Sequence, residues 1–325
     1  MQFHLPIHFP SLEPRIAHQH KLMLLGSCFT EHMTQFLQRM KFTCVQNSHG
    51  ILFNPMSVCK ALEDVLYQKL YTEKELFFLD EYWHSWYHHS DFSDLSPAVA
   101  LQKINESIAE QHSFLLQADY LFITLGSAFA YHHTEENIFV SNNHRAPSTW
   151  FTKQLLSADS IEKQLRETIA KIKSVNRKIK IVCTISPVRH ARDGVIENNR
   201  SKANLIEAVH RIEEVYYFPA YELVIDILRD YRFYDVDMVH PNYQATAYVW
   251  EQFVDHCIDQ NYLPLLKKLD QLYKSVHHRA KDTRSKAHQR FMQEQLVLCK
   301  ELKAQYPHLD LLEELNIFNT IKIIK

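Results

Sequence analysis

The sequence predicts an α/β fold: a three-layer α/β/α sandwich on a parallel five-stranded sheet, followed by a C-terminal helical extension. Five short apolar runs, at 21-25, 43-46, 120-125, 179-185 and 222-227, read as strands buried on both faces. Segments of helical period lie between them, and strand alternating with helix is the pattern of a doubly wound sheet. The 325 residues also suffice for a large core, since a fold of this length buries roughly 75% of its unfolded-chain surface.

The first run, Leu22-Met23-Leu24-Leu25, ends in Gly26-Ser27, and Met33, Phe36, Leu37 and Met40 then repeat at helical spacing. After the second run, Asn54-Pro55 has the form of an N-cap with proline at the first helical position, ahead of Val58, Leu62, Val65 and Leu66. Residues 71-96 hold Phe77, Phe78, Tyr82, Trp83, Trp86 and Tyr87 without helical period, which reads as an inserted β-hairpin or aromatic loop. Ile161, Leu165, Ile169 and Ile172 form the next apolar stripe, and Leu205, Val209 and Ile212 another. The boundary falls near 262: residues 1-262 form the sandwich, and 263-325 a helical tail with stripes at Leu265, Leu266, Leu269, Leu272 and at Phe291, Leu298, Leu302. Such a tail packs on the core or joins copies of the chain into a homo-oligomer.

Lys+Arg 36 against Asp+Glu 38 leaves a formal charge of -2, so nothing global favours nucleic acid or an anionic membrane. Arg279, Lys281, Arg284, Lys286 and Arg290 make the tail locally basic, which reads as a solvated helix face. The six cysteines contain no C-x-x-C pair and read as reduced, mostly buried thiols. Prolines and histidines occupy the first twenty residues, and no apolar stretch reaches 18, so the expectation is a cytoplasmic protein. Gly26, Gly50, Gly126 and Gly194 are the only glycines, where average usage gives about twenty.

In an open α/β sheet, ligands bind beyond the carboxyl ends of the strands. Ser27 stands at such an end, and Asp237 and His240 share a turn late in the chain. A carboxylate three residues before a histidine can accept from its Nδ1–H and fix the tautomer whose Nε2 faces a nucleophile, the layout of a serine hydrolase triad. The competing reading of Ser27 is a helix cap. Cys28 is a second nucleophile candidate, at a helix N-terminus; with Ser27 facing the crevice, Cys28 is expected to pack inward. Arg189 and His190 follow the fourth run: the arginine could clamp an anionic group or pair with Asp193, and the histidine could line the pocket or play a structural part. His84 and His88 lack a third ligand at a recognisable spacing, so no metal is expected, and no cofactor is needed.

Gly26-Ser27-Cys28-Phe29, Ile51-Leu52-Phe53-Asn54-Pro55, Leu125-Gly126-Ser127, Ser186-Pro187-Val188-Arg189-His190 and Arg229-Asp230-Tyr231-Arg232-Phe233-Tyr234 through His240-Pro241 resemble, in this order, the bacterial GSCFA family, grouped with the SGNH/GDSL hydrolases. The resemblance covers roughly 20-260, with Thr30 where the signature has alanine. It implies a flavodoxin-like sandwich of the SGNH type, with Ser27 as nucleophile, His240 as general base and Asp237 orienting it. It also implies an oxyanion hole from the N–H groups of Ser27 and Gly50, with Gly126 opening the third block. The chain departs from the pattern there: SGNH hydrolases read Gly-x-Asn-Asp, and this chain has Gly126-Ser127-Ala128-Phe129. Ser127, Asn54 and Asn143 are the candidates for the missing donor. The implied activity is hydrolysis of a small O-acyl ester, an O-acetyl carbohydrate by analogy. Acyl transfer by the same triad, and a non-catalytic binding or scaffolding protein on the hydrolase fold, are the alternatives.

Overall fold

In a computed structural model, residues 5–319 are described. The chain runs through β1 (Lys21–Gly26), α1 (Cys28–Arg39), β2 (Thr43–Gln46), α2 (Pro55–Leu66), β3 (Phe77–Leu79), β4 (Tyr82–His84), α3 (Pro97–Leu115), β5 (Tyr120–Leu125), β6 (Phe129–His133), β7 (Ile138–Val140) and β8 (Phe151–Leu155). It continues with α4 (Ala158–Val175), β9 (Lys180–Ile185), α5 (Val195–His210), β10 (Tyr216–Phe218), α6 (Ala220–Glu222), α7 (Tyr243–Cys257), α8 (Leu263–Val276), α9 (Lys286–Gln305) and α10 (Leu312–Asn319).

The main sheet is parallel, in the order β10-β9-β5-β1-β2. Numbered by appearance within the sheet this is 2-1-3-4-5, the flavodoxin-like order, whose switch point lies between its first and third strands. These are β1 and β5, paired Leu22 to Tyr120 through Gly26 to Thr124. Alternation along the strands separates two cores. Leu22, Leu24, Tyr120, Phe122, Val182 and Phe218 face α1, α7 and the C-terminal helices, in one continuous cluster with Leu265, Leu269, Leu302 and Phe318. Met23, Leu25, Leu121, Ile123, Ile181, Cys183 and Ile185 face α2, α4 and α5. The predicted sandwich is therefore the observed one, and the tail packs on its own core.

Four of the five strand positions agree, and the fifth does not. Residues 222-227 are helical, α6 running into a π-helical turn at Leu223–Ile227, and the edge strand is Tyr216–Phe218 instead. Leu223 and Val224 are fully buried, and an apolar run of that length fits a buried helix as well as a strand. The aromatic insertion holds an antiparallel hairpin, β3 with β4, and Phe77 stacks on Trp86 with ring centroids 3.6 Å apart. Two features were not anticipated: α3, and the small antiparallel sheet β7-β6-β8 that follows β5.

Candidate active site

The switch point sets the site. Gly26 ends β1 at φ +140°, and a Cβ there would lie 2.0 Å from Thr124 O, so only glycine lets the strand end press against β5. Its N–H donates to Asn47 Oδ1 at 2.9 Å, tying the turn to the end of β2. Ser27 occupies the N-cap position of α1, yet its hydroxyl makes no cap hydrogen bond. Ser27 Oγ is a buried atom without a partner, and the residue is 1% exposed. Cys28 is partly exposed instead, its thiol pushed above the usual range by burial and then by Glu31. The expected packing of these two neighbours is thus reversed. Extended backbone sends the Ser27 Cβ toward Gly126, where an added Cβ would meet it at 3.3 Å, while Cys28 opens the helix.

The Asp237 and His240 pair is assembled. His240 Nδ1 lies 2.6 Å from Asp237 Oδ2, while Asp237 Oδ1 accepts from the N–H groups of Val239 at 2.8 Å and His240 at 3.0 Å. The His240 side chain and these two N–H groups hold the Asp237 carboxyl at about 2. Between them Met238 sits at φ +58°, a left-handed conformation that costs a non-glycine residue free energy, and the carboxylate's three contacts hold it there. Burial, and then the charge of His240, keep the His32 imidazole of α1 below its ordinary value. No hydrogen bond joins His240 to Ser27.

The candidate oxyanion donors are already engaged. Ser27 N–H donates to Thr124 O at 3.1 Å, Gly50 N–H to Asn47 O at 2.8 Å, and the N–H groups of Gly126 and Ser127 both to Phe53 O, at 2.8 and 2.9 Å. Ser127 Oγ lies 3.2 Å from Ser201 Oγ and accepts from Phe129 N–H. Asn54 caps α2 as predicted: its Oδ1 accepts from Ser57 N–H and its Nδ2 donates to Ser57 Oγ. Asn143 lies in the loop before β8, whose neighbour His144 bonds Ser85 O of the aromatic insertion at 2.9 Å. Among the described residues no hydrogen bond links Asn143 to Ser27 or His240. These residues build the framework of the site, and the N–H groups named for the hole present no free donor in this conformation.

Arg189 does not pair with Asp193, which takes Lys153. Its Nε donates to Tyr234 Oη at 3.1 Å and its Nη1 to Tyr231 Oη at 2.9 Å, with the guanidinium over both rings. Its N–H donates to Val239 O at 3.1 Å, which joins the loop after β9 to the Asp237–His240 turn. Arg189, Asp226, Arg229, Tyr231 and Tyr234 line a cavity of about 340 Å³ beside that turn. His190 packs edge-on to Phe53, with centroids 5.4 Å apart, and its Nε2 is buried with no hydrogen bond of normal geometry.

One residue of the site escaped the sequence reading. Lys202 on α5 is 1% exposed, and its Nζ donates to Gly126 O and Ser186 O, both at 2.6 Å. It clamps the chain just beyond the ends of β5 and β9, and among the described residues no carboxylate pairs with it. Burial pulls its ammonium down to about 7, opposed by the nearby Cys28. The signal was there in the helix period: Leu205 and Val209, stepped back by three and four residues, put Lys202, Ser201 and Asn198 on the buried face.

A family model described as "GSCFA family" matches residues 21–253, and one described as "GSCFA domain protein, C-terminal domain" matches 269–321. No curated protein matches the chain. Among solved structures, the chain is similar to a carbohydrate esterase family 3 protein from Talaromyces cellulolyticus, at 11% identity and a TM-score of 0.37, over 77% of this chain and 99% of that one. It is similar to an acetyl xylan esterase from the rumen bacterium Butyrivibrio proteoclasticus, at 11% identity and 0.41, over 76% of this chain and 65% of that one. An acetyl esterase mutant with acetate ion gives 13% identity and 0.35, over 79% and 100%. The fold assignment rests on the strand order itself.

Proposed function

The chain belongs to the GSCFA family, and on that premise we propose that it is a serine esterase cleaving a small O-acyl ester through an acyl-serine intermediate. One observation carries the reading: a carboxylate, fixed by two backbone N–H groups, holds His240 by Nδ1 at 2.6 Å. An imidazole held that way offers Nε2 as the base. Ser27 Oγ would attack the ester carbonyl carbon and pass its proton to His240 Nε2. The carbonyl π pair moves to oxygen, then returns as the alkoxide leaves with the proton from His240. Asp237 stabilises the imidazolium in between. Because Ser27 Oγ is covered and unpartnered, the groups over it must give way before His240 and an ester reach it; catalytic hydrogen bonds often tighten only when substrate binds.

The buried serine and the engaged N–H donors favour a second reading, a binding protein on the hydrolase fold. Ester turnover decides between them. Ser27→Ala and His240→Ala are expected to lower kcat by at least ~10³-fold, and Asp237→Asn by less. No turnover in the folded wild type leaves the binding reading standing, and full turnover in Ser27→Ala overturns Ser27 as the nucleophile. Products formed with and without a sugar acceptor separate hydrolysis from acyl transfer, and an acetylated carbohydrate is the first substrate to try.

A further inference from the structure

The engaged backbone donors leave an oxyanion at Ser27 without a hole, and the buried polar atoms show where one can come from. Besides Ser27 Oγ, His190 Nε2 is a buried atom of this region with no hydrogen bond of normal geometry, the Gly126 carbonyl being the backbone acceptor that acts on the ring. A buried donor left without a partner is costly, so a fold that keeps one at a site edge has a use for it. Their residues border the same surface, formed by Gly126 and Phe53. Phe53 Cδ1 and Ser27 Cβ would lie 3.2 and 3.3 Å from a Cβ on Gly126, and the His190 ring meets Phe53 edge-on at an interplanar angle of 84°. Asn198 fixes the histidine's backbone by accepting its N–H at 2.9 Å.

We propose that His190, with its proton on Nε2, is the side-chain donor of the oxyanion hole, in the role that asparagine holds in Gly-x-Asn-Asp hydrolases. This rests on the esterase reading above. The charged and titratable groups around the ring are Lys202 on α5, Asp193 in the loop before it and His240 on the catalytic turn. Burial, and then the Lys202 ammonium, hold His190 at about 4. At neutral pH it is an uncharged imidazole that donates one hydrogen bond and keeps its proton, so the proton of Ser27 goes to His240 and only charge stabilisation comes from His190. Lys202 serves this arrangement twice: it anchors Gly126 O and keeps a second cation from forming beside it.

The test is the steady-state hydrolysis of p-nitrophenyl acetate by the full chain. His190→Phe, which keeps the ring contact with Phe53 and removes the donor, should lower kcat by ~10²–10³-fold with KM within about threefold of wild type. His190→Gln, which restores an N–H donor, should recover at least ~10-fold of that, and the acidic limb of the kcat profile should stay where it is in both. If His190→Phe does not fold, as judged by its thermal transition, His190→Leu, which also lacks a donor, takes its place on the same criteria. Wild-type kcat in the folded variant, with Ser27→Ala inactive, overturns the role of His190 and leaves the esterase. Absence of turnover in wild type overturns both.

Discussion

The most telling residue of the site is Lys202, a cation buried against two carbonyls where burial ordinarily demands a carboxylate. Its ammonium falls from 10.5 to about 7 on folding, so between those values the unfolded chain holds a proton that the folded chain has released. Stability must then rise with pH across that window: the cost of burying the charge is full below 7 and gone above 10.5. Urea denaturation of wild type and Lys202→Met isolates the effect, and wild type should gain on the variant as pH climbs from about 7 to 10. A pH-independent difference would mean that the lysine keeps its ordinary affinity for protons. At this scale the motif residues were legible, because Ser27, Asp237, His240 and the turn glycines stand out by type and place. Lys202 was not, because a lysine in a helix reads as surface unless the apolar stripe of Leu205 and Val209 is run back to it. Which of Ser27 and Cys28 is buried depends on the backbone at one residue, and the residue types do not record that.

Among the elements, the junction of β1 and β5 constrains the fold most tightly. Alanine at Gly26 would have to survive at φ +140° with its Cβ 2.0 Å from a carbonyl oxygen, and no flexible side chain can give way there. Gly194, at φ +82° ahead of α5, has nothing within 4 Å of an added Cβ. Gly194→Ala should therefore cost backbone strain alone, about 1–3 kcal/mol. Gly26→Ala should add overpacking to strain and cost roughly 2–5 kcal/mol or prevent folding. Equal urea midpoints for the two variants would contradict the close approach of β1 to β5. Strands and helices with strong periods were legible here, Asn54-Pro55 as a cap among them. The exchange at the sheet edge was not: Tyr216–Phe218 is too short to show a period, while Leu223–Ile227 is apolar enough to pass for a strand and folds as a π-helical turn.

Across the whole molecule, the chain is a doubly wound sheet with Ser27 at the switch point between β1 and β5, and with α8 to α10 built into the core beneath α1 and α7. The apolar stripe of α8 is used internally, so an oligomer through this region would have to employ other surface, Val297 and Leu312 being exposed there. Among the described residues, no helix is long and apolar enough to cross a membrane. We propose Ser27 as a nucleophile activated by His240, although its Oγ is covered in this conformation. Intact-mass analysis after incubation with a fluorophosphonate tests it most directly. One adduct is expected, mapped to Ser27, absent in Ser27→Ala and at least ~10²-fold slower to form in His240→Ala. A folded wild type that takes no label, or takes it at another residue while Ser27→Ala labels at the same rate, would contradict it.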